Sequence, residues 1–147
     1  MKIKIKKLHK DAVIPRYSKP GDAGLDLTVV KTYKHWDEFS DRFKLEVDSG
    51  IAVEIPDGYV GLIFPRSSIK NTGVRLTNSV GVIDSKFRGS IKAFFDIVDE
   101  SLTLYKKGDR FAQLIIIPYP HIEFEEVEEL SDTERGTGGF GSTNNNK

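Results

Sequence analysis

Phe64-Pro65-Arg66-Ser67-Ser68 puts a planar guanidinium and two hydroxyls where an apolar run ends and a short segment, Ser67–Thr72, begins. A helix start with its free N–H groups, joined by an arginine fork, is a good donor set for a phosphate. Hydroxyls at that place also serve as ordinary caps, so the pattern alone leaves both readings open. Leu76–Gly89 carries a second kind of chemistry. Asp84 follows the apolar run Gly81–Ile83, with glycines on both sides where backbone can approach a ligand closely. Such a carboxylate could take a proton from a water, or could be absorbed in an Asx turn. Gln113, a polar residue leading into the apolar run Leu114–Ile117, is a third candidate, and satisfying buried backbone groups would explain it equally well.

The last thirteen residues, from Arg135 to Lys147, are a glycine-rich arm. Gly136, Gly138 and Gly141 formally spell G-x-G-x-x-G, but only six residues follow Gly141, and a dinucleotide fingerprint needs a strand before it and a helix after it. The Lys-Ser/Thr ending of a P-loop is also absent. The arm instead offers one guanidinium, one aromatic ring, three hydroxyls and many backbone N–H groups, a set suited to closing over a nucleotide held elsewhere.

The elements that must position these groups read as strands. Lys2–Lys6 alternates Lys and Ile with period two. Further Val/Ile/Phe/Tyr-rich runs at Lys44–Ile55, Tyr59–Phe64, Gly81–Ile83, Ser90–Val98, Phe111–Pro118 and His121–Val127 are separated by turns such as Pro56-Asp57-Gly58 and Lys107-Gly108-Asp109. The pattern predicts an all-β sandwich or jelly roll. One brief helix is expected over Ser67–Thr72, begun by capping hydroxyls and closed by Gly73 as a C′ glycine. Tyr33–Phe43, aromatic and charged without a period, reads as a connecting excursion. His121–Glu134 holds seven acidic residues and no Lys or Arg, which reads as a solvated strand face leading into a tail.

Composition narrows the classes. A chain of 147 residues fits one domain with a real core. Its 38% apolar residues include no run approaching the roughly 18 of a membrane span, and MKIKIKK lacks the apolar stretch of a secretory signal, so a cytoplasmic setting is expected. Zero net charge disfavours a broad nucleic-acid surface and favours a small anionic ligand held by local arginines. The absence of cysteine removes disulfides, thiol catalysis and Cys-ligated zinc. His9, His35 and His121 share no metal-ligand spacing.

In order along the chain, Asp22-Ala-Gly-Leu-Asp26-Leu27, Pro65-Arg-Ser-Ser68, Asn78–Gly89, Gly108-Asp-Arg110-Phe-Ala-Gln113 and Arg135–Thr143 resemble the five motifs of the trimeric dUTPase family. The resemblance covers almost the whole chain. It implies a distorted jelly roll over 1–134 with a flexible arm over 135–147 that closes the active site of a neighbour in a homotrimer. It also implies hydrolysis of dUTP to dUMP and pyrophosphate with Mg²⁺, which supplies dUMP for thymidylate synthesis and keeps uracil out of DNA. Asp84 would orient and deprotonate the water attacking the α-phosphorus. Arg66, Ser67 and Ser68 would bind the phosphate chain, while Asn78 and the backbone at Gly81, Val82 and Ile83 would read uracil. Gln113 would meet the α-phosphate and Arg135 the γ-phosphate. Ser142 and Thr143 would assist Arg135, Phe140 would cover the base, Gly141 would also bind substrate, and Lys92 would border the nucleotide through its backbone. Asp26 would support the metal indirectly, through water, since Mg²⁺ keeps much of its hydration shell.

Two departures are visible. Phe87 stands where the family usually has a tyrosine stacking on deoxyribose, so the ring face is kept and its hydroxyl lost. Tyr33–Phe43 is longer than in many relatives and leaves room for a partner surface. The nearest rival on the same scaffold, dCTP deaminase, needs a glutamate about five residues after Gly89, where this chain has Phe94 flanked by Ala93 and Phe95. A catalytically idle nucleotide sensor is the rival from another class, and the presence of Asp84 and a complete arm argues against it.

Overall fold

The computed structural model describes residues 1–139 and contains ten strands and one 3-10 turn. Strands β2 (Leu25–Thr28), β10 (Arg110–Pro118), β6 (Tyr59–Pro65) and β8 (Gly81–Ile83) form one four-stranded sheet in that order. A second sheet has the order β3 (Lys31–Asp37), β4 (Arg42–Asp48), β9 (Lys92–Ile97), β7 (Val74–Leu76). A short pair, β1 (Lys4–Lys7) with β5 (Ile51–Glu54), completes the framework. Every pairing is antiparallel, and neighbours in a sheet are mostly distant in sequence, as in a jelly roll.

Period-two alternation decides which side chains meet between the sheets. Leu45 and Val47 on β4 and Ala93 and Phe95 on β9 point inward, against Leu27, Ile63, Phe111 and Leu114 of the other sheet. Phe95 and Phe111, both at 0% exposure, meet edge to face across the gap at 6.4 Å, with Tyr105 against each of them. Burying each such ring is worth about 1.5–3 kcal/mol, so this aromatic trio is a principal clamp between the sheets.

The run Lys44–Ile55 is two strands and not one. Gly50 takes φ +64, its N–H donates to Asp48 Oδ1 at 2.7 Å, and the Ser49 hydroxyl donates to the Ile91 carbonyl at 2.6 Å, which turns the chain from β4 into β5. Tyr33–Phe43 is no irregular excursion either. It forms most of the β3–β4 hairpin, from Lys31↔Asp48 to Asp37↔Arg42. Its period is hidden because β3 is exposed along most of its length, so no face had to be apolar. Cross-strand contacts hold it instead: the Trp36 and Phe43 rings at 4.9 Å, Lys34 Nζ 4.3 Å above Phe43, and Lys44 with Asp37 at 2.7 Å. Conversely His121–Val127, expected as a strand, is exposed and has no ladder partner among the described residues. Alternation alone does not make a strand without an edge to pair with.

The expected helix is a 3-10 turn, Ser67–Asn71. Arg66 is its N-cap and no side chain caps it, so Ser67 and Ser68 do not perform the capping expected of them. Gly73 is not a left-handed C′ residue. Its carbonyl accepts from the Val98 and Asp99 N–H groups, and a Cβ there would sit 1.9 Å from the Asp99 carbonyl oxygen, so glycine is required by close backbone approach. Strands β2 and β7, at four and three residues, escaped the sequence pattern because they are too short to show a period. Among the described residues no helix is long and apolar enough to cross a membrane.

Candidate active site

Strand β10 assembles one half of the site. Gln113 pairs in register with Asp26 on β2 and with Phe64 on β6, while Ala112 faces Pro65. Three distant segments therefore converge at one end of the sheet. Gln113 Nε2 donates to the Pro65 carbonyl at 3.3 Å, and a Cβ on Gly24 would lie 2.4 Å from Gln113 Oε1, so glycine at 24 is what lets the amide lie there. Ser18, Asp22, Gly24, Asp26, Arg66, Ser67 and Gln113 are among the residues lining a basin of about 380 Å³.

Asp26 organises this basin. Its Oδ1 accepts from Arg66 Nε at 2.8 Å; its Oδ2 accepts from the Ser18 hydroxyl at 2.8 Å and from Arg110 Nη1 at 2.9 Å. Burial pushes the Asp26 carboxyl up, but the Ser18 hydroxyl and the two guanidiniums outweigh it and hold the group below its ordinary range. Among the described residues the outer edge of Arg66 makes one weak contact, Nη1 to Ser68 Oγ at 3.4 Å. Uncapped hydroxyls and a guanidinium anchored through Nε leave donors free to meet an anion.

Asp84 lies at the other end of the same sheet. Ile83 pairs with Gly61, so Asp84 leaves β8 near Val60, and a cavity of about 310 Å³ there is lined by Tyr59, Val60, Val82, Asp84, Ser85 and Tyr119. The Phe87 N–H donates to the Asp84 carbonyl at 3.1 Å, while the Asp84 carboxylate makes no hydrogen bond with any described residue. It is exposed and not consumed by an Asx turn. Val82 is 63% and Phe87 44% exposed, and the Phe87 ring lies against Gly89, where a Cβ would come within 2.5 Å of Cζ. Asn78 sits exposed in the turn from β7 to β8, with Ser79 at φ +62 and the Val80 N–H donating to the Asn78 carbonyl at 2.6 Å.

These two halves are far apart within one chain. From Gly61, opposite Ile83, to Arg66, the extended residue just past the end of β6, is five residues, roughly 17 Å at about 3.4 Å per residue. Neither cavity is lined by residues of both. Lys92 lies on the second sheet, where its ammonium meets Glu46 at 2.6 Å; that hydrogen bond raises its pKa against the opposing effect of burial. Arg135 is exposed, its Nε donating to the Gly138 carbonyl at 2.9 Å in a turn whose Gly136 has φ +50. Phe140, Gly141, Ser142 and Thr143 lie outside the described residues.

Sequence reasoning passed over Ser18 and Arg110, both on the Asp26 carboxylate, and Tyr59 and Tyr119 beside Asp84. Arg110 stood within the Gly108–Gln113 motif, but its partner is 84 residues away and only the β2–β10 register brings them together. Ser18 carried no signal, being eight residues from its partner in an irregular segment.

A family model described as dUTPase matches residues 10–144. The chain is 41% identical over 144 residues to a deoxyuridine 5'-triphosphate nucleotidohydrolase of Hydrogenobaculum, covering 97% of this chain and 98% of that protein. It is 42% identical to the protein of the same name from Nautilia profundicola, covering 97% and 99%. The solved dUTPase of Staphylococcus bacteriophage 80alpha with dUpNHpp is similar at a TM-score of 0.80 and 29% identity, over 96% of this chain and 97% of that one. The chain belongs to the dUTPase family.

Proposed function

We propose that this dUTPase hydrolyses dUTP to dUMP and pyrophosphate at a site in which the Arg66 basin of one chain faces the Asp84 hairpin of another. Family membership carries the reaction. The observation that carries the arrangement is the separation of the two halves along β6, because one α-phosphorus cannot touch both ends of a strand. In a cyclic assembly the same two surfaces meet repeatedly, so a homotrimer completes every site at once.

In this reading the body, residues 1–134, carries the two half-sites, and the arm, 135–147, closes a site on a neighbour. Asp84 holds a water in line with the α-phosphorus. The water oxygen bonds to phosphorus, the bond to the bridging oxygen breaks, pyrophosphate leaves, and the carboxylate takes the proton. Its exposure to solvent and lack of other described partners fit that task. Arg66, Ser67, Ser68 and Gln113 bind the phosphate chain and meet charge as it moves to the leaving group. Asn78 with the backbone of Gly81, Val82 and Ile83 reads uracil, Phe87 packs under deoxyribose, and Lys92 borders the nucleotide through its backbone. Arg135 meets the γ-phosphate with Ser142 and Thr143 assisting, Phe140 covers the base, and Gly141 also binds substrate.

Among the described residues no group of three or more His, Cys, Asp or Glu could hold a metal ion. An ionised carboxylate has about four acceptor positions, and three donors already occupy those of Asp26, which leaves one position, enough to accept from a water of a hydrated cation. These residues fit a Mg²⁺ held by triphosphate and water, which when bound supplies neutralising charge on the phosphates. In this reading the enzyme acts in the cytoplasm.

Product analysis with a panel of dNTPs tests the activity. Pyrophosphate from dUTP alone is expected; ammonia from dCTP, or no turnover at all, would overturn it.

A further inference from the structure

The Asp26 carboxylate stands between two hollows that take different arginines. On one side is the phosphate basin with Arg66, Ser67 and Gln113. On the other is a groove of about 500 Å³ that includes Arg16, Tyr17, Thr28 and Arg110. Ser18 and Asp26 line both. Arg110 lines only the groove, so it does not face the basin where the phosphate chain is proposed to lie.

We propose that Arg110 is a positioning residue for the phosphate arginine: by holding Asp26 Oδ2 together with Ser18, it restricts Arg66 to a single bond on Oδ1 and keeps the rest of the Arg66 fork turned toward the basin. The geometry states the competition directly. A guanidinium and a carboxylate prefer a two-bond, fork-to-fork pairing. Arg66 makes only one such bond, Nε to Oδ1 at 2.8 Å, because Oδ2 is taken by Arg110 at 2.9 Å and Ser18 at 2.8 Å. The Ser18 hydroxyl also accepts from Arg110 Nη1 at 3.1 Å, which fixes that side as a triangle. With Arg110 removed, Oδ2 becomes available and Arg66 can rotate into the two-bond pairing, withdrawing donors from the phosphates. The second guanidinium has an electrostatic effect as well. Two arginines on one carboxylate leave the cluster with a net positive charge, whereas Arg66 and Asp26 alone sum to zero, a poor receptor for a triphosphate.

The inference rests on the phosphate-binding reading of Arg66, and its test separates the two. The wild type, Arg110→Met and Arg110→Lys would be compared for dUTP turnover and for binding of dUpNHpp and of dUMP. In Arg110→Met, KM for dUTP and Kd for dUpNHpp should rise about tenfold, equivalent to about 1.4 kcal/mol. The value of kcat should fall by less than KM rises, and dUMP, which lacks the β- and γ-phosphates, should lose less affinity than dUpNHpp. Arg110→Lys should recover much of the loss, since an ammonium can still occupy Oδ2. Arg110 is half exposed, so the variants should fold, and a thermal melt checks this. A merely structural role would lower stability without separating dUpNHpp from dUMP or KM from kcat. Unchanged KM and dUpNHpp affinity in Arg110→Met, with normal wild-type turnover, would overturn the inference; an equal loss for dUpNHpp and dUMP would overturn it too. If Arg66→Met also left dUpNHpp binding intact, the reading beneath it would fail instead.

Discussion

The two ends of strand β6 are built on opposite plans. At the Pro65 end, a carboxylate, two guanidiniums and a hydroxyl are locked into one hydrogen-bonded node, with the Gln113 amide bonded beside it to the Pro65 carbonyl and the Asp26 side chain only 14% exposed. At the Tyr59 end, Asp84, Val82 and Phe87 stand in solvent and are joined to the sheet mainly by the short ladder of β8. One end is preorganised by its own chain. The other presents unspent groups whose order has to come from what they meet, a difference that supports the proposal of a functional unit larger than one chain. In the proposed reading it also separates binding from chemistry: the locked end would receive a polyanion whose position must be fixed, and the open end would supply the group that moves a proton.

The strongest way to break this division is at the open end. Asp84→Asn should leave fold and dUTP affinity nearly intact while lowering kcat at least about a hundredfold, the scale of a lost general base. Retention of more than about a tenth of turnover would remove Asp84 from that role. At the locked end the opposite signature is expected. Arg66→Met removes charge-assisted bonds of about 1.5–3 kcal/mol, so KM for dUTP should rise by roughly ten- to a hundredfold. It also strands Asp26 beside one arginine, and the melting temperature should fall, whereas Asp84→Asn should leave it unchanged. Equal melts for the two variants would contradict the contrast between the ends.

A smaller effect sharpens the picture of the open end. Phe87→Ala should narrow the preference for dUTP over UTP, because the flat surface resting on Gly89 is lost, while Phe87→Tyr should be close to neutral. Steady-state kinetics with both nucleotides would show it. An Ala variant with the parental preference would place sugar selection elsewhere.

Much of this was legible in the sequence because it depended on local chemistry. Gly81–Ile83 shows as a strand since its ends are marked by glycine and aspartate, and β6 and β10 carry apolar runs long enough to be read. The order of the motifs named the family. Register was not legible: nothing in the spacing of Asp26, Phe64 and Gln113 says that they lie side by side, because that is set by which strands pair. For the same reason Arg110 was seen as part of a motif and not as the partner of a carboxylate 84 residues away. The β3–β4 hairpin was hidden by the lack of a buried face. His121–Val127 carried a strand's pattern but has no ladder partner among the described residues.

The central claim, that the Asp84 hairpin and the arm serve sites shared between chains, is tested most directly by complementation. Two homotrimers, one carrying Asp84→Asn and one truncated after Glu134, would be unfolded, mixed in equal amounts and refolded together. Each alone is expected to be inactive. If a site draws Asp84 from one chain and the arm from another in a cyclic trimer, half the sites receive an intact Asp84, and half of those an intact arm, so about a quarter of wild-type activity should return. Mixed trimers that form but stay inactive would show that Asp84 and the arm serve one chain's own site, and would contradict the account.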